Sequence, residues 1–211
     1  LRNEDTAVNA RLKIQDTVLE AIADLGFALA GGSALLDYDI VTRDTDDIDA
    51  FLNSTSTAAF TSAVEAVIAA CDRSGWTTQI VWNQDWDKKI LITVGGGDST
   101  VVQLVHHQRS TTPERRPGGG LRLIFSDVVG GKAVAAADAS RGRDFDDLAH
   151  IVDTPGWSLA EVEKAMSALG YSDKTADFRA SITRFRRGDF DQAIRDEGFD
   201  PAYAHSILDH D

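Results

Sequence analysis

Two stretches of the chain repeat apolar residues at the three-to-four-residue spacing that is typical of amphipathic helices. The first covers residues 6–25 and ends at Gly26, a residue type that commonly terminates helices. The second covers residues 57–72. We expect the first helix to bury Val8, Leu12, Leu19 and Ile22, and the second to bury Phe60, Val64, Val67, Ile68 and Cys71.

Shorter apolar runs between turn-forming residues predict strands. The runs are Phe27–Ala30, Ile48–Leu52, Thr78–Trp82, Lys89–Val94, Thr100–His106 and Leu121–Phe125. Between the last two runs, residues 107–120 are charged and contain Pro and Gly, which predicts a loop.

From Ser126 onward the pattern is helical. It predicts a helix capped by Ser126, a second over Asp144–Val152, a third opened by the capping box Ser158–Glu161, a fourth over residues 173–187, and a short one beginning at Pro201. The sequence therefore predicts an α+β fold with an α/β lobe, residues 1–125, followed by a helical lobe, residues 126–211, that lines a substrate cleft.

Composition restricts the class of protein. The chain has 211 residues, 43% of them hydrophobic, so it can form a core. Its net charge of −13 argues against a protein that coats nucleic acid without specificity. We expect a cytoplasmic protein without a membrane segment, because the sequence has one cysteine, Cys71, and no long apolar run.

The first candidate site follows the strand Phe27–Ala30. Gly31, Gly32 and Ser33 stand there at the expected start of a helix. Glycines let the backbone approach a ligand closely, and helix starts attract phosphate groups. This pattern favours a phosphate-binding turn. A phosphate added to Ser33 would repel such a ligand.

The second candidate is the pair Asp47 and Asp49, which flank Ile48. In a strand, both carboxylates would project from one face, and a divalent cation would relieve their repulsion. The alternative is a solvated acidic turn, because Asp44 and Asp46 stand beside them. A calcium loop is excluded by the spacing.

Two further candidates lie in the helical lobe. Lys132 stands in a run of small apolar residues, either as an exposed helix residue or as a cation for phosphates. The Walker phosphate-loop pattern does not match there. Arg143 and Asp144 open a predicted helix, where acidic residues are also common for reasons of helix electrostatics.

In this order and at this spacing, the motifs resemble the nucleotidyltransferase superfamily with the polymerase-beta type of fold. Gly31-Gly-Ser33, then Arg43-x-Thr-x-Asp47-Ile-Asp49, and later Lys132-Ala and Arg143-Asp144-Phe-x-Asp147 are similar to the AbiEii/MenT group of bacterial toxins. The resemblance implies a mixed, mostly antiparallel sheet flanked by helices, and transfer of a nucleotide from a nucleoside triphosphate to an acceptor hydroxyl.

The resemblance also implies the role of each residue. Asp47 and Asp49 would bind Mg²⁺ or Mn²⁺, and Lys132 and Asp144 would be catalytic. The nucleotide phosphates would be bound by Gly31, Gly32 and Ser33. Arg43 and Arg143 would support the site, either as further phosphate contacts or as partners of the acidic residues. Many superfamily members carry a third metal carboxylate on a central strand. The candidate strand here, Thr100–His106, has Gln103 at that position, so the number of metal ions stays open.

Two clusters of arginines are candidate contacts for an RNA acceptor. They are Arg115 and Arg116 in the loop, and Arg179, Arg184, Arg186 and Arg187 in the fourth helix of the helical lobe. A solvated loop and a solvated helix face are the alternatives.

Three functions follow. The first is a toxin of a toxin–antitoxin pair that modifies an RNA 3′ end, with tRNA as the expected acceptor and an antitoxin as a protein partner. The second is a nucleotidyltransferase for small molecules of the aminoglycoside type. The third is a catalytically silent binding module. The intact Asp47, Asp49 and Lys132 disfavour the third, and the Arg143-Asp144-Phe145 motif favours the first.

Overall fold

The computed structural model describes residues 4–43, 45, 47–138 and 141–211, with side chains described from residue 9 onward. The side chain of Val8 and the residues Asp44 and Asp46 lie outside this description. The chain divides into two compact units. The first comprises the described residues of 1–34, 43–108 and 112–124, and the second comprises those of 35–42, 109–111 and 125–211.

The first unit is built on a mixed sheet. In the described part of the chain this sheet has seven strands, in the order β3-β4-β5-β2-β1-β7-β6. The strands are β1 (Ala28–Leu29), β2 (Asp47–Leu52), β3 (Thr77–Gln84), β4 (Asp87–Thr93), β5 (Ser99–His106), β6 (Glu114–Arg115) and β7 (Leu121–Arg122). The pairs β2–β5 and β1–β7 are parallel, and the other neighbours are antiparallel. The predicted α+β class with a mostly antiparallel sheet is confirmed.

One face of the central strands is buried. Burial alternates along β2 and β4, and along β5 up to Val105, so that Ile48, Ile90 and Val102 are fully covered. Two helices belong to the same unit, α1 (Glu4–Ile22) and α3 (Thr57–Arg73). Phe60 of α3 meets Phe27 edge-to-face, with ring centroids 5.2 Å apart.

Both predicted helices of this unit form, and Leu19 and Ile22 of α1 are buried as predicted, but Leu12 is not. Leu12 is 38% exposed, because the buried positions of α1 are 11, 14, 15, 18, 19 and 22. The buried face of α1 includes the polar residues Arg11 and Gln15. The spacing of apolar residues alone therefore did not predict this face correctly. Cys71 is fully buried, and burial raises the pKa of its thiol to about 11, which confirms it as a core residue.

The second unit is helical. Its helices are the later part of α2 (Gly31–Asp37), α4 (Phe125–Asp138), α5 (Gly142–Val152), α6 (Leu159–Ala168), α7 (Thr175–Arg186), α8 (Asp191–Asp196) and α9 (Pro201–Leu208). Ser158 caps α6 by accepting a hydrogen bond from the amide of Glu161, as the capping box predicts. Phe145 lies between Phe185 and Phe190, which stack on it at 5.0 and 4.6 Å.

Three local predictions differ from the structure. The loop 107–120 contains the short strand β6, because Glu114 and Arg115 pair with β7. The strand predicted up to Phe125 ends at Arg122, and Phe125 already belongs to α4. Helix α8 was not predicted, because its six residues are too few to show a periodic pattern. No helix within the described ranges is both long and apolar enough to cross a membrane.

Candidate active site

Gly31 and Asp49 form the centre of the first unit's candidate site. Gly31 follows β1 and has φ of +60°, a backbone conformation that favours glycine. A Cβ on Gly31 would lie 2.0 Å from Oδ2 of Asp49. The backbone amide of Ala30 also donates to the carbonyl of Asp49 over 2.9 Å. Only a residue without a side chain therefore lets the turn and this carboxylate meet.

Ser33 points into the protein, not into solvent. It is 2% exposed, and its Oγ donates to the backbone carbonyl of Asp47 over 2.8 Å. The same oxygen is 2.9 Å from Oγ1 of Thr45. Ser33 thus fixes the turn to the start of β2, and its hydroxyl is not exposed to a modifying enzyme in this conformation.

Arg11 is a site residue that the sequence analysis missed. It is 8% exposed, and its Nη1 donates to Oγ of Ser33 over 3.3 Å and to Oε1 of Gln15 over 3.2 Å. The sequence did contain an indication of this burial. Arg11 and Gln15 continue the helical spacing of the apolar residues Val18 and Ile22, so they lie on the same helix face. A charged residue at buried spacing is informative because burial of a charge is costly without hydrogen-bond partners.

Arg43 lies beside the second glycine of the turn. A Cβ built on Gly32 would lie 3.1 Å from Nη2 of Arg43 and 3.2 Å from Cγ2 of Thr45. The guanidinium is therefore next to the turn to which the sequence assigned phosphate binding.

Asp47 and Asp49 occupy alternate positions of β2, on the face opposite the buried Ile48. The acidic-turn alternative is wrong for these residues, because both lie in a paired strand. In register, Asp49 pairs with Gln103 of β5. Nε2 of Gln103 donates to Oδ1 of Asp87 over 2.8 Å, so its amide is engaged on the β4 side.

The pair fits a divalent cation that binds together with a nucleotide. Among the described residues, no group of three or more His, Cys, Asp or Glu side chains is arranged to hold a metal ion. Mg²⁺ commonly takes one or two protein carboxylates and completes its shell with water and substrate phosphates. Two carboxylates on one strand face, with a glycine turn against one of them, meet that requirement.

Lys132 forms a buried cluster within the second unit. Its Nζ is 2.5 Å from Oδ2 of Asp147 and 3.6 Å from Oδ1 of Asp144. Lys132 is 8% exposed, so the exposed-helix alternative is wrong. The pKa of Asp144 is raised, mainly because the carboxyl group is buried. The positive charge of Lys132 acts in the opposite direction and lowers this pKa, whereas the negative charge of Asp147 raises it. Asp147, to which the sequence motif assigned no role, is the closer partner of the lysine.

Arg143 precedes this cluster at the start of α5. Its backbone amide donates to Oε2 of Glu197 over 2.7 Å. Its side chain is half-buried, and its charge lowers the pKa of Asp144.

No protein-family model and no curated protein matches the chain. Solved structures are similar to it over most of its length. JHP933 from Helicobacter pylori has a TM-score of 0.62 at 16% identity, covering 98% of this chain and 89% of that chain. A predicted nucleotidyltransferase from H. pylori has a TM-score of 0.60 at 15% identity, covering 98% and 92%. MenT4, a nucleotidyltransferase toxin from Mycobacterium tuberculosis, has a TM-score of 0.53 at 16% identity, covering 78% and 64%.

The chain has a nucleotidyltransferase fold. It resembles the MenT4 toxin, as the motif order implied. At these identities the likeness establishes the fold alone.

The arginines of the first unit that were candidates for RNA binding have internal partners. Arg116 is 7% exposed and bonds to Asp16 of α1 over 3.1 Å. Arg115 pairs with Glu20 over 3.2 Å. Acidic residues of α1 therefore balance this cluster, which the sequence analysis could not see because they lie about 100 positions away.

The arginines of α7 are largely engaged as well. Arg179 makes a bidentate pair with Glu163, with both distances 2.7 Å. Arg184 lies 4.6 Å from the ring centre of Phe190 and 3.5 Å from Asp189. Arg186 donates twice to the carbonyl of Leu208, and Arg187 is exposed. Most of these arginines therefore contact other residues of the helical unit.

Proposed function

We propose that this chain is a metal-dependent nucleotidyltransferase that moves a nucleotide from a nucleoside triphosphate to the 3′ hydroxyl of an RNA, with tRNA as the expected acceptor. The observation that carries the proposal is the contact between Gly31 and Asp49 beside the paired carboxylates. It joins a phosphate-binding turn to a metal-binding pair. Resemblance to the MenT4 toxin supports a toxin of a toxin–antitoxin pair.

In this proposal Asp47 and Asp49 hold Mg²⁺ or Mn²⁺. The bound cation would neutralise charge on the reacting phosphate and activate the attacking hydroxyl. Gly31, Gly32 and Ser33 present the turn to the triphosphate, and Arg43 adds positive charge beside Gly32.

The acceptor oxygen forms a bond to the α-phosphorus, and the bond from that phosphorus to the bridging oxygen breaks. Pyrophosphate leaves with the bonding electrons. We assign the uptake of the hydroxyl proton to Asp144, whose pKa is raised by burial. Lys132 has three donors, and we assign one of them to the phosphates. Arg143 is assigned to the phosphates too.

The test is labelling of total tRNA by each radioactive nucleoside triphosphate in turn. We expect one or more nucleotides to label tRNA in the presence of Mg²⁺, and chelation with EDTA to abolish it. Asp49→Asn should also abolish labelling. Asp72→Asn, which changes an exposed aspartate of α3, is the matched control and should keep full activity. Absence of RNA labelling under all conditions would contradict the RNA-modifying activity.

The toxin role has a separate test. Expression of the wild-type chain should arrest bacterial growth, and co-expression of an antitoxin encoded by a neighbouring gene should restore it. Growth arrest that persists with Asp49→Asn would contradict a toxic nucleotidyltransferase activity.

A small-molecule acceptor is the second candidate. It is favoured by the net charge of −13 and by the internal pairing of Arg115, Arg116 and Arg179, which suit a cationic acceptor better than RNA. Labelling of an aminoglycoside but not of RNA would select this function. A chain that binds no triphosphate in the presence of Mg²⁺ would be a silent module.

A further inference from the structure

The face of the sheet that carries Asp49 continues outward as one row of side chains. Asp49 of β2 is in register with Gln103 of β5, Gln103 with Lys89 of β4, and Lys89 with Trp82 of β3. Directly paired residues project from the same face of a sheet. The row therefore leads from the carboxylate pair to the edge strand across three strand spacings, about 14 Å.

A β-bulge puts Trp82 on this face. Ile80 pairs with the fully buried Ile90, whereas Trp82 pairs with Lys89, so the register shifts by one residue at Val81. Without the shift, strict alternation would put Trp82 on the same face as Ile80. Bulges commonly redirect a side chain next to a functional site.

Trp82 is 47% exposed on this face. The other residues of β3 that share the face are polar, namely Thr77, Gln79 and Gln84. Ile80 and Val81, which precede Trp82 in the strand, are 44% and 46% exposed, and Ile80 lies on the opposite face with Ile90. An aromatic ring beside amides, hydroxyls and Lys89 has the chemistry that binds a nucleobase and its phosphate.

The direction of the row fits the acceptor rather than the triphosphate. The turn Gly31–Ser33 follows β1, which neighbours β2 on one side, whereas β5, β4 and β3 extend from β2 on the other side. In phosphoryl transfer the attacking and leaving oxygens are roughly in line. A triphosphate whose leaving pyrophosphate lies at the glycine turn is therefore attacked from the side of β5, β4 and β3.

We propose that Trp82 stacks on a nucleobase of the single-stranded 3′ end of the acceptor RNA, with Lys89 beside it as a contact to the RNA backbone. This proposal rests on the proposed nucleotidyl transfer, because the in-line argument requires it. It also supplies a surface for RNA that does not depend on the paired arginines.

The test compares the binding of a short, fluorescein-labelled single-stranded oligoribonucleotide by fluorescence anisotropy. Trp82→Ala should raise the dissociation constant about 5- to 150-fold, as expected for one lost base–aromatic stack. Trp82→Phe should restore binding to within a few-fold of wild type. Mg²⁺-dependent triphosphate binding should be unchanged in both variants.

Trp86→Ala is the matched control. Trp86 belongs to the same hairpin and is 45% exposed, but its ring lies against that of His106, on the side of β5 opposite Gln103. This variant should bind the RNA like wild type. An equal loss with Trp86→Ala would overturn the assignment to Trp82.

Three outcomes would overturn the proposal. In the first, Trp82→Ala binds the oligoribonucleotide with wild-type affinity. In the second, the wild-type chain binds a blunt RNA duplex as tightly as the single strand. In the third, the wild-type chain sediments as a dimer that Trp82→Ala dissociates, while RNA binding is unchanged. The proposed function fails separately. If no nucleotide is transferred but RNA binding still depends on Trp82, the stacking site stands and the transferase activity does not.

Discussion

Asp49 packs its carboxylate directly on the backbone of Gly31, with no space for even one carbon atom between them. The proposed phosphate-binding turn and the proposed metal ligand would therefore be displaced together by a change in either. The geometry thus makes Gly31 as important to the proposed site as the aspartate.

Gly31→Ala should lower nucleotide transfer by about 100-fold or more, because a misplacement of about 1 Å costs that much in rate. It should also cost roughly 1–3 kcal/mol of unfolding free energy from the positive φ. Steady-state transfer and urea unfolding measure the two effects.

Gly75→Ala is the control for this prediction. Gly75 also has positive φ, +71°, but nothing lies within 4 Å of its Cβ position. It should show the stability cost with full activity. Equal activity of both variants would show that the contact with Asp49 has no functional importance.

Ser33→Ala should destabilise the chain by about 1–3 kcal/mol, because the carbonyl of Asp47 loses a buried hydrogen-bond donor. Since that bond fixes the start of β2, Mg²⁺-dependent triphosphate binding should weaken too. Thr45→Val removes only the neighbouring hydroxyl and should have the smaller effect on binding. The reverse order would mean that Thr45 fixes the start of β2.

The partners of Lys132 should separate stability from catalysis. Asp147→Asn should cost about 3 kcal/mol of unfolding free energy, because it removes the closer partner of a buried cation. Asp144→Asn should cost less than about 1 kcal/mol, since burial already disfavours the ionised form of Asp144. It should nevertheless lower transfer by about 100-fold or more. A folded, fully active Asp144→Asn would contradict its catalytic role.

His205 should make stability depend on pH. Partial burial by itself would lower its pKa, but the hydrogen bonds to Asp191 and Asp209, 2.9 and 3.0 Å long, outweigh burial and raise it. A raised pKa in the folded state means that the stabilisation is complete below the unfolded value of about 6.5. It is lost as pH rises through the folded value.

Urea unfolding at acidic and alkaline pH measures this effect. The free-energy difference between wild type and His205→Gln should be roughly 1 kcal/mol larger on the acidic side. His210→Gln, at an exposed position in the same terminal segment, should show no such change. A difference for His205→Gln that is independent of pH would mean that the ring contributes by packing on Phe185 alone.

Local patterns predicted much of the fold because their causes are local. The cap of α6 needs only Ser158 and Glu161, three residues apart. The alternation Asp47-Ile48-Asp49 alone predicted which side chains share a strand face. Gln103 was expected as the inward polar position of the strand Thr100–His106, and it pairs with Asp49.

The remainder depends on residues that are distant in sequence. The charge of the buried Arg116 is paired with that of Asp16. The buried Arg11 donates hydrogen bonds to Ser33 and Gln15. The face on which Trp82 lies depends on a bulge that is defined only by its pairing with β4.

The sequence by itself determined the order of elements, the α+β class, the glycine turn and the carboxylate pair, since helical and strand periods and the chemistry of adjacent residues act over a few positions. Only the tertiary structure decided that Gly31 touches Asp49, that Lys132 is held by Asp147, and that most of the candidate arginines have internal partners. Each of these contacts joins chain segments whose separation in space is set by packing, and the free energy of a charge depends on what packs around it.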